Sequence, residues 1–199
     1  MQKLTLATLS TLALSLSCTG VFAVDGTIKV NGVITDGTCT LQGLYNSSSG
    51  LQDITVRLPS VPKSTVKPTY PLSDAIAFTM RVANADGTDF CDAATSKAFK
   101  GIHLSAILPA DLDDTDKTLL INKATGASKT HPVFIQIHTS SNIVVDLSAP
   151  WGTQAKSPVN PTGSATTVAI TYRAYYFSKT GIVDAQNVTA TINYTMHYN

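Results

Sequence analysis

The sequence predicts an all-β fold, a sandwich of two antiparallel sheets, and three observations carry that expectation. Short runs rich in Val, Ile, Thr, Tyr and Phe recur at Ile54 to Leu58, Ile76 to Val82, Ile102 to Leu108, Val133 to His138, Ile143 to Leu147, Val168 to Phe177 and Val188 to Tyr198. Clusters of turn residues separate them, at Asn46 to Gly50, Asn84 to Gly87, Ser140 to Asn142 and Ser157 to Gly163. No window sustains a helical apolar period, although Asp92 to Phe99 suits a helical turn or two. No internal repeat or low-complexity linker divides the chain.

Residues 1–23 have the layout of a secretory signal peptide: Lys3 as the positive start, Leu4 to Leu16 as the apolar stretch, and Val21-Phe22-Ala23 before the cut. Val24 is then the mature N-terminus, and 199 − 23 = 176 residues remain, the size of one well-cored domain. Cys18 raises the alternative of a lipid anchor, but the position three residues earlier, where such a signal wants Leu, holds Ser15. Losing Lys3 takes the 14 Lys and Arg to 13, against 13 Asp and Glu, so the mature charge is zero. That balance gives no reason to expect nucleic acid or an anionic membrane surface as a partner.

Two cysteines survive processing, Cys39 and Cys91, and an isolated pair in an exported protein reads as a disulfide. Closing a loop of roughly 50 residues contributes on the order of 4 kcal/mol in the chain-entropy model.

The two ends are the most informative parts. Val188, Ala190, Ile192, Tyr194, Met196 and Tyr198 alternate with polar residues, which gives a long strand one apolar and one polar face. Near the other end Ile28, Val30, Gly32 and Ile34 alternate with Thr27, Lys29, Asn31 and Val33. This segment has no hairpin partner before it, so it pairs either with a strand distant in its own chain or with another chain.

Chemistry-bearing constellations are missing from the pattern. His103, His131, His138 and His197 lack metal-ligand spacing, and neither a nucleophile elbow nor a phosphate loop occurs. Asp111, Asp113, Asp114 and Asp116 lack the Gly of a calcium loop and its distal Glu, a residue type the chain does not contain, so a solvated loop is expected there. Trp151, between Pro150 and Gly152, is either a sugar-stacking platform or a residue that packs a long loop onto the sandwich. The expectation is a non-enzyme without catalytic residues, cofactor or metal.

Three stretches together resemble the type 1 pilin-like structural subunits of chaperone–usher fimbriae. They are Gly26-Thr-Ile-Lys-Val-Asn-Gly-Val-Ile-Thr-Asp-Gly-Thr-Cys39, the strands Ile54-Thr-Val-Arg-Leu-Pro59 and Phe78-Thr-Met-Arg-Val82 before the second Cys, and Tyr172-Arg-Ala-Tyr-Tyr-Phe177 with Gly181 and the strand closing on Tyr198. Where members of that family often carry Gly ahead of the last strand, this chain has Gln186.

The resemblance implies an immunoglobulin-like sandwich lacking its last strand, with residues 24–36 as a donor extension and 37–199 as the pilin domain. Ile28, Val30 and Ile34 would fill a neighbour's groove, with Gly32 where no side chain has room. Val188, Ala190, Ile192, Tyr194, Met196 and Tyr198 would border the subunit's own groove and meet its chaperone. The implied partners are a periplasmic chaperone, an outer-membrane usher and other pilin subunits, the product being a fimbrium on the cell surface that supports adhesion. A major shaft subunit is the expectation; a minor adapter, or a freestanding periplasmic immunoglobulin-like binding protein, is the alternative.

Overall fold

The computed structural model describes residues 39–44, 48–67, 75–162 and 164–199. Its strands are β1 Thr40–Leu44, β2 Ser48–Ser49, β3 Thr55–Val56, β4 Ile76–Ala83, β5 Phe99–Ala106, β6 Leu119–Ile121, β7 Phe134–Thr139, β8 Val159–Thr162, β9 Ser164–Phe177 and β10 Ile192–Tyr198, with one short helix, α1, at Ala93–Ala98. One sheet runs β1-β4-β9-β7-β6, with β8 also on β9; β5 pairs with β10, and β2 with β3. Every pairing is antiparallel.

The long strand β9 organises the larger sheet because its alternate residues are apolar. Ile170 stands opposite Met80, Tyr172 opposite Phe78, and Ala174 opposite both Ile76 on β4 and Ile137 on β7. Phe78, Met80, Ile137, Ile170, Tyr172 and Ala174 join Phe99, Ile102 and Leu104 of β5 in one core, which makes the two sheets the layers of a sandwich. Burying each large apolar side chain contributes about 1.5–3 kcal/mol. Tyr172 is fully buried, stacks on Phe78 with ring centroids 6.1 Å apart, and its hydroxyl accepts the Ser157 N–H at 3.4 Å. Burial pushes its phenol pKa up.

Cys39 and Cys91 form a disulfide, their Cα atoms 5.7 Å apart. It joins the start of β1 to the far side of the turn that follows β4, where the Cys91 N–H returns to the Val82 carbonyl at 3.2 Å. Next along the chain, Asp92 caps α1 by accepting the Thr95 N–H at 2.9 Å, so the helical turn expected there forms.

Three local expectations are corrected. Ser157 to Gly163 was expected as a turn, yet Val159–Thr162 is β8; its Pro161 is tolerated because β8 lies off the main path of the sheet and pairs only with β9. Ile143 to Leu147 was expected as a strand, yet only the bridge between His138 and Val144 forms, with Leu147 bonded to Ala106 and Lys117 instead. β5 starts earlier than expected, at Phe99, through a register shift opposite His197 and Tyr198 that brings in Gly101 at a φ of +133°. Among the described residues no helix is long and apolar enough to cross a membrane.

Candidate strand-acceptor groove

The C-terminal segment has the expected two-residue alternation, but only half the burial of a core strand. Val188, Ala190, Ile192, Tyr194, Met196 and Tyr198 pack against the main core, and every one is half-buried. Thr189, Thr191, Asn193 and Thr195 between them are exposed. Among the described residues β10 has a ladder on one edge only, to β5. The sequence expectation of a strand from Val188 is shortened, because the ladder begins at Ile192. Before that point the backbone is held by a loop rather than a strand, with Lys123 N–H on the Thr189 carbonyl at 2.8 Å.

A second stretch repeats this pattern. Ile54, Val56 and Leu58 are half-buried against the same core, and Thr55 and Arg57 between them are exposed. Sequence reading found this stretch as a strand but gave it no role; its alternation was the available signal. No ladder joins it to β10 among the described residues. One β10 side chain reaches the start of this stretch, the Tyr194 hydroxyl donating to the Gln52 carbonyl at 3.0 Å; at its other end the Tyr176 hydroxyl of β9 donates to the Pro59 carbonyl at 3.2 Å. Toward the beginning of the C-terminal segment lies an open cleft of about 890 Å³, with Val61, Lys63 and Val66 on one side and Val183, Gln186 and Val188 on the other.

On the polar side of the C-terminal strand, His197 stacks flat on Trp151, ring centroids 4.0 Å apart and planes 3° from parallel. The Lys156 ammonium lies 4.5 Å from the Trp151 ring centre and donates to the Trp151 and Gln154 carbonyls. Trp151 also lies over Gly101, where an added Cβ would sit 3.4 Å from the ring. With its ring taken up by His197 and Lys156, Trp151 packs the loop onto the sheet and is not arranged as a sugar platform. Desolvation, then the neighbouring His103 and Lys156, push the His197 pKa down. Burial, then Asp92 and Tyr194, push the Tyr198 phenol up.

The acidic loop is engaged by lysines. Asp111 pairs with Lys123 at 2.8 Å, and Asp113 pairs with Lys179. Burial opposes ionisation of Asp113, but hydrogen bonds from Lys179 and Thr115 outweigh it and bring the pKa down to about 2. Of the other histidines, His103 reaches the Ala149 carbonyl at 2.9 Å, His131 lies against Asp184, and His138 is buried beside Gln136 and Tyr175. Ile28, Val30, Gly32 and Ile34, expected as donor residues, lie outside the described residues, as does the expected signal segment.

Among the described residues the architecture is thus an all-β sandwich closed by a disulfide, with a C-terminal strand laddered on one edge. No family model matches the chain. It is 30% identical over 179 residues to the major fimbrial subunit SMF-1 of Stenotrophomonas maltophilia (strain K279a), covering 89% of this chain and 94% of that protein. It is 25% identical over 183 residues to the F17 fimbrial protein of Escherichia coli, with 92% of each covered. The serotype 2 fimbrial subunit of Bordetella pertussis (strain Tohama I) is 22% identical over 205 residues, covering 94% of this chain and 92% of that protein. The crystal structure of the P pilus rod subunit PapA shares the fold, with a TM-score of 0.52 at 13% identity over 87% of this chain and 100% of that one. The chain belongs to the fimbrial structural subunits of the chaperone–usher pilin type, a non-enzymatic family.

Proposed function

We propose that this chain is the repeating shaft subunit of a surface pilus and polymerises by donor-strand exchange. Residues 24–35 of one subunit complete the sandwich of the next by lying between its 54–58 stretch and its C-terminal strand. The observation that carries this reading is a pair of apolar stripes, nine side chains in all, that touch one finished core yet stay half-buried. Neighbouring strands in a sheet lie about 4.7–4.9 Å apart, so a segment added to the free edge of β10 gains backbone hydrogen bonds and covers both stripes at once. Ile28, Val30 and Ile34 are the fillers, and Gly32 passes the tightest point. If the strand enters antiparallel to β10, Ile34 comes to rest at the cleft between Val61 and Val183.

Exposed apolar stripes beside an open strand edge aggregate when left uncovered. A periplasmic chaperone therefore holds the groove until an outer-membrane usher delivers the next subunit, after export and cleavage following Ala23. The shaft role is supported by the relative named as a major fimbrial subunit and by the rod-subunit fold.

The test compares two ends of the chain. Ile28→Asp places a charge in an apolar groove, at a cost of several kcal/mol; it should abolish the heat-sensitive, SDS-resistant ladder while leaving the monomer's melting temperature unchanged. Met196→Asp should instead prevent the subunit from accumulating. An Ile28→Asp monomer that unfolds would make residues 24–35 an ordinary strand of the same sandwich.

A further inference from the structure

Resting on that reading, we infer that Gln186 and Asn122 are positioning residues for strand uptake: their side-chain amides hold residues 186–189 as a preformed wall of the cleft. Asn122 lies just past β6 and is buried. Its Nδ2 donates to the Asn187 carbonyl at 2.7 Å and to Gln186 Oε1 at 3.1 Å. Its Oδ1 accepts the N–H groups of Ala124 at 2.9 Å and Thr189 at 3.0 Å. Gln186 completes the knot, with Oε1 accepting the Ser128 N–H at 3.2 Å and Nε2 donating to the carbonyls of His131 at 3.1 Å and Asp184 at 3.2 Å. The two amides thus tie the 122–131 loop to the 184–189 segment mainly through backbone groups.

This geometry bears on strand addition in two ways. First, both backbone groups of Thr189 are taken, its N–H by Asn122 Oδ1 and its C=O by the Lys123 N–H, so residue 189 is held to the 122–124 loop before any strand arrives. Second, residues 186–189 line the cleft yet precede the β5–β10 ladder, which starts at Ile192. Loosened from the two amides, they would have to be ordered by the incoming strand itself, and ordering even one residue's backbone during uptake slows association about tenfold. Once the strand is in place, its own ladder holds the segment, so the amides matter for entry more than for retention.

The experiment uses the purified mature subunit carrying Ile28→Asp, which does not donate to its neighbours, and a labelled synthetic peptide with the wild-type sequence of residues 24–35, and reads association and dissociation rates separately. Gln186→Ala should slow association about tenfold, with dissociation and the melting temperature of the loaded subunit little changed. Asn122→Asp keeps the acceptor for Thr189 but sets a carboxylate oxygen against the Asn187 carbonyl and Gln186 Oε1, so it should slow association at least as much; Gln186→Met, which fills the same space without the amide, carries the test if Gln186→Ala folds poorly. Variants that associate at the rate of the Ile28→Asp parent overturn the inference and leave donor-strand exchange standing. So does faster dissociation matched by a lower melting temperature without peptide, since that marks a general structural role. An Ile28→Asp parent that never captures the peptide overturns both.

Discussion

The β4–β9–β7 face and the β10 face draw on the same residue types and end in different states. On the first, Ile170, Tyr172 and Val82 have no exposed surface, each enclosed by a partner on either side or by the opposite sheet. On the second, Ile192, Tyr194 and Met196 touch the same core and stay half-buried. Composition does not separate the two faces. Among the described residues β10 is laddered on one edge and its apolar side chains sit at the rim of the core, so the same residue types contribute less there unless something covers them.

The closed side should break hardest. Replacing Cys39 and Cys91 together by Ser should cost about 2–5 kcal/mol in denaturant unfolding, enough to leave little folded subunit. Ile170→Ala should cost about 2–5 kcal/mol as well, with or without added donor peptide. Met196→Ala sharpens the contrast: about 1 kcal/mol in the unloaded subunit, because the side chain already faces partial solvent, and a larger loss once a peptide covers it. Equal losses in both states would mean the β10 face is already closed.

The smallest expected effect is a pH dependence. Burial, aided by the nearby Arg173 and opposed by hydrogen bonding with Asn142, holds His138 below its ordinary pKa of 6.5, and His197 is also held down. For each, the unfolded chain binds the proton more readily, so stability is full above about pH 6.5 and falls as the pH drops through the folded-state values. A melting-temperature series from pH 7.5 to about pH 5 should decline by a few degrees, and His138→Gln should flatten most of it. The single tryptophan, Trp151, gives a separate readout, since protonation of the stacked His197 should change its fluorescence in step with that histidine alone. A flat series in the wild-type protein would show that neither histidine is coupled to folding.

The strands legible in the sequence are those whose alternation or β-branched runs stand on their own: β3, β4, β5, β7, β9 and β10. β8 was not legible because Pro161 and Asn160 read locally as turn residues, and only pairing with the long β9 makes them strand. β1 contains Gln42 and Gly43 and has no β-branched run; its register against β4 is fixed from outside, helped by the Arg81 Nε donating to Gln42 Oε1 at 2.6 Å. In the candidate site, the apolar stripe from Val188 to Tyr198 could be read directly. The place of Ile54, Val56 and Leu58 in the proposed groove could not, because they share a core with residues from the other end of the chain only once the fold has formed. The same holds for Gln186, whose partners at Asn122, Ser128 and His131 are brought to it by the fold.

The disulfide also fixes how a fibre of such subunits would carry tension. In a fibre built as proposed, a pull along the axis reaches each subunit through its donor segment and enters the body at Cys39. From there it crosses a covalent bond to Cys91 and passes through α1 into β5. β5 is laddered to β10, the strand that grips the next donor. The load therefore bypasses the β1–β4 ladder and runs from one donor to the next through a covalent bridge and one sheet. In such a fibre the β5–β10 ladder inside each subunit would carry the same pull as the contact with the next donor.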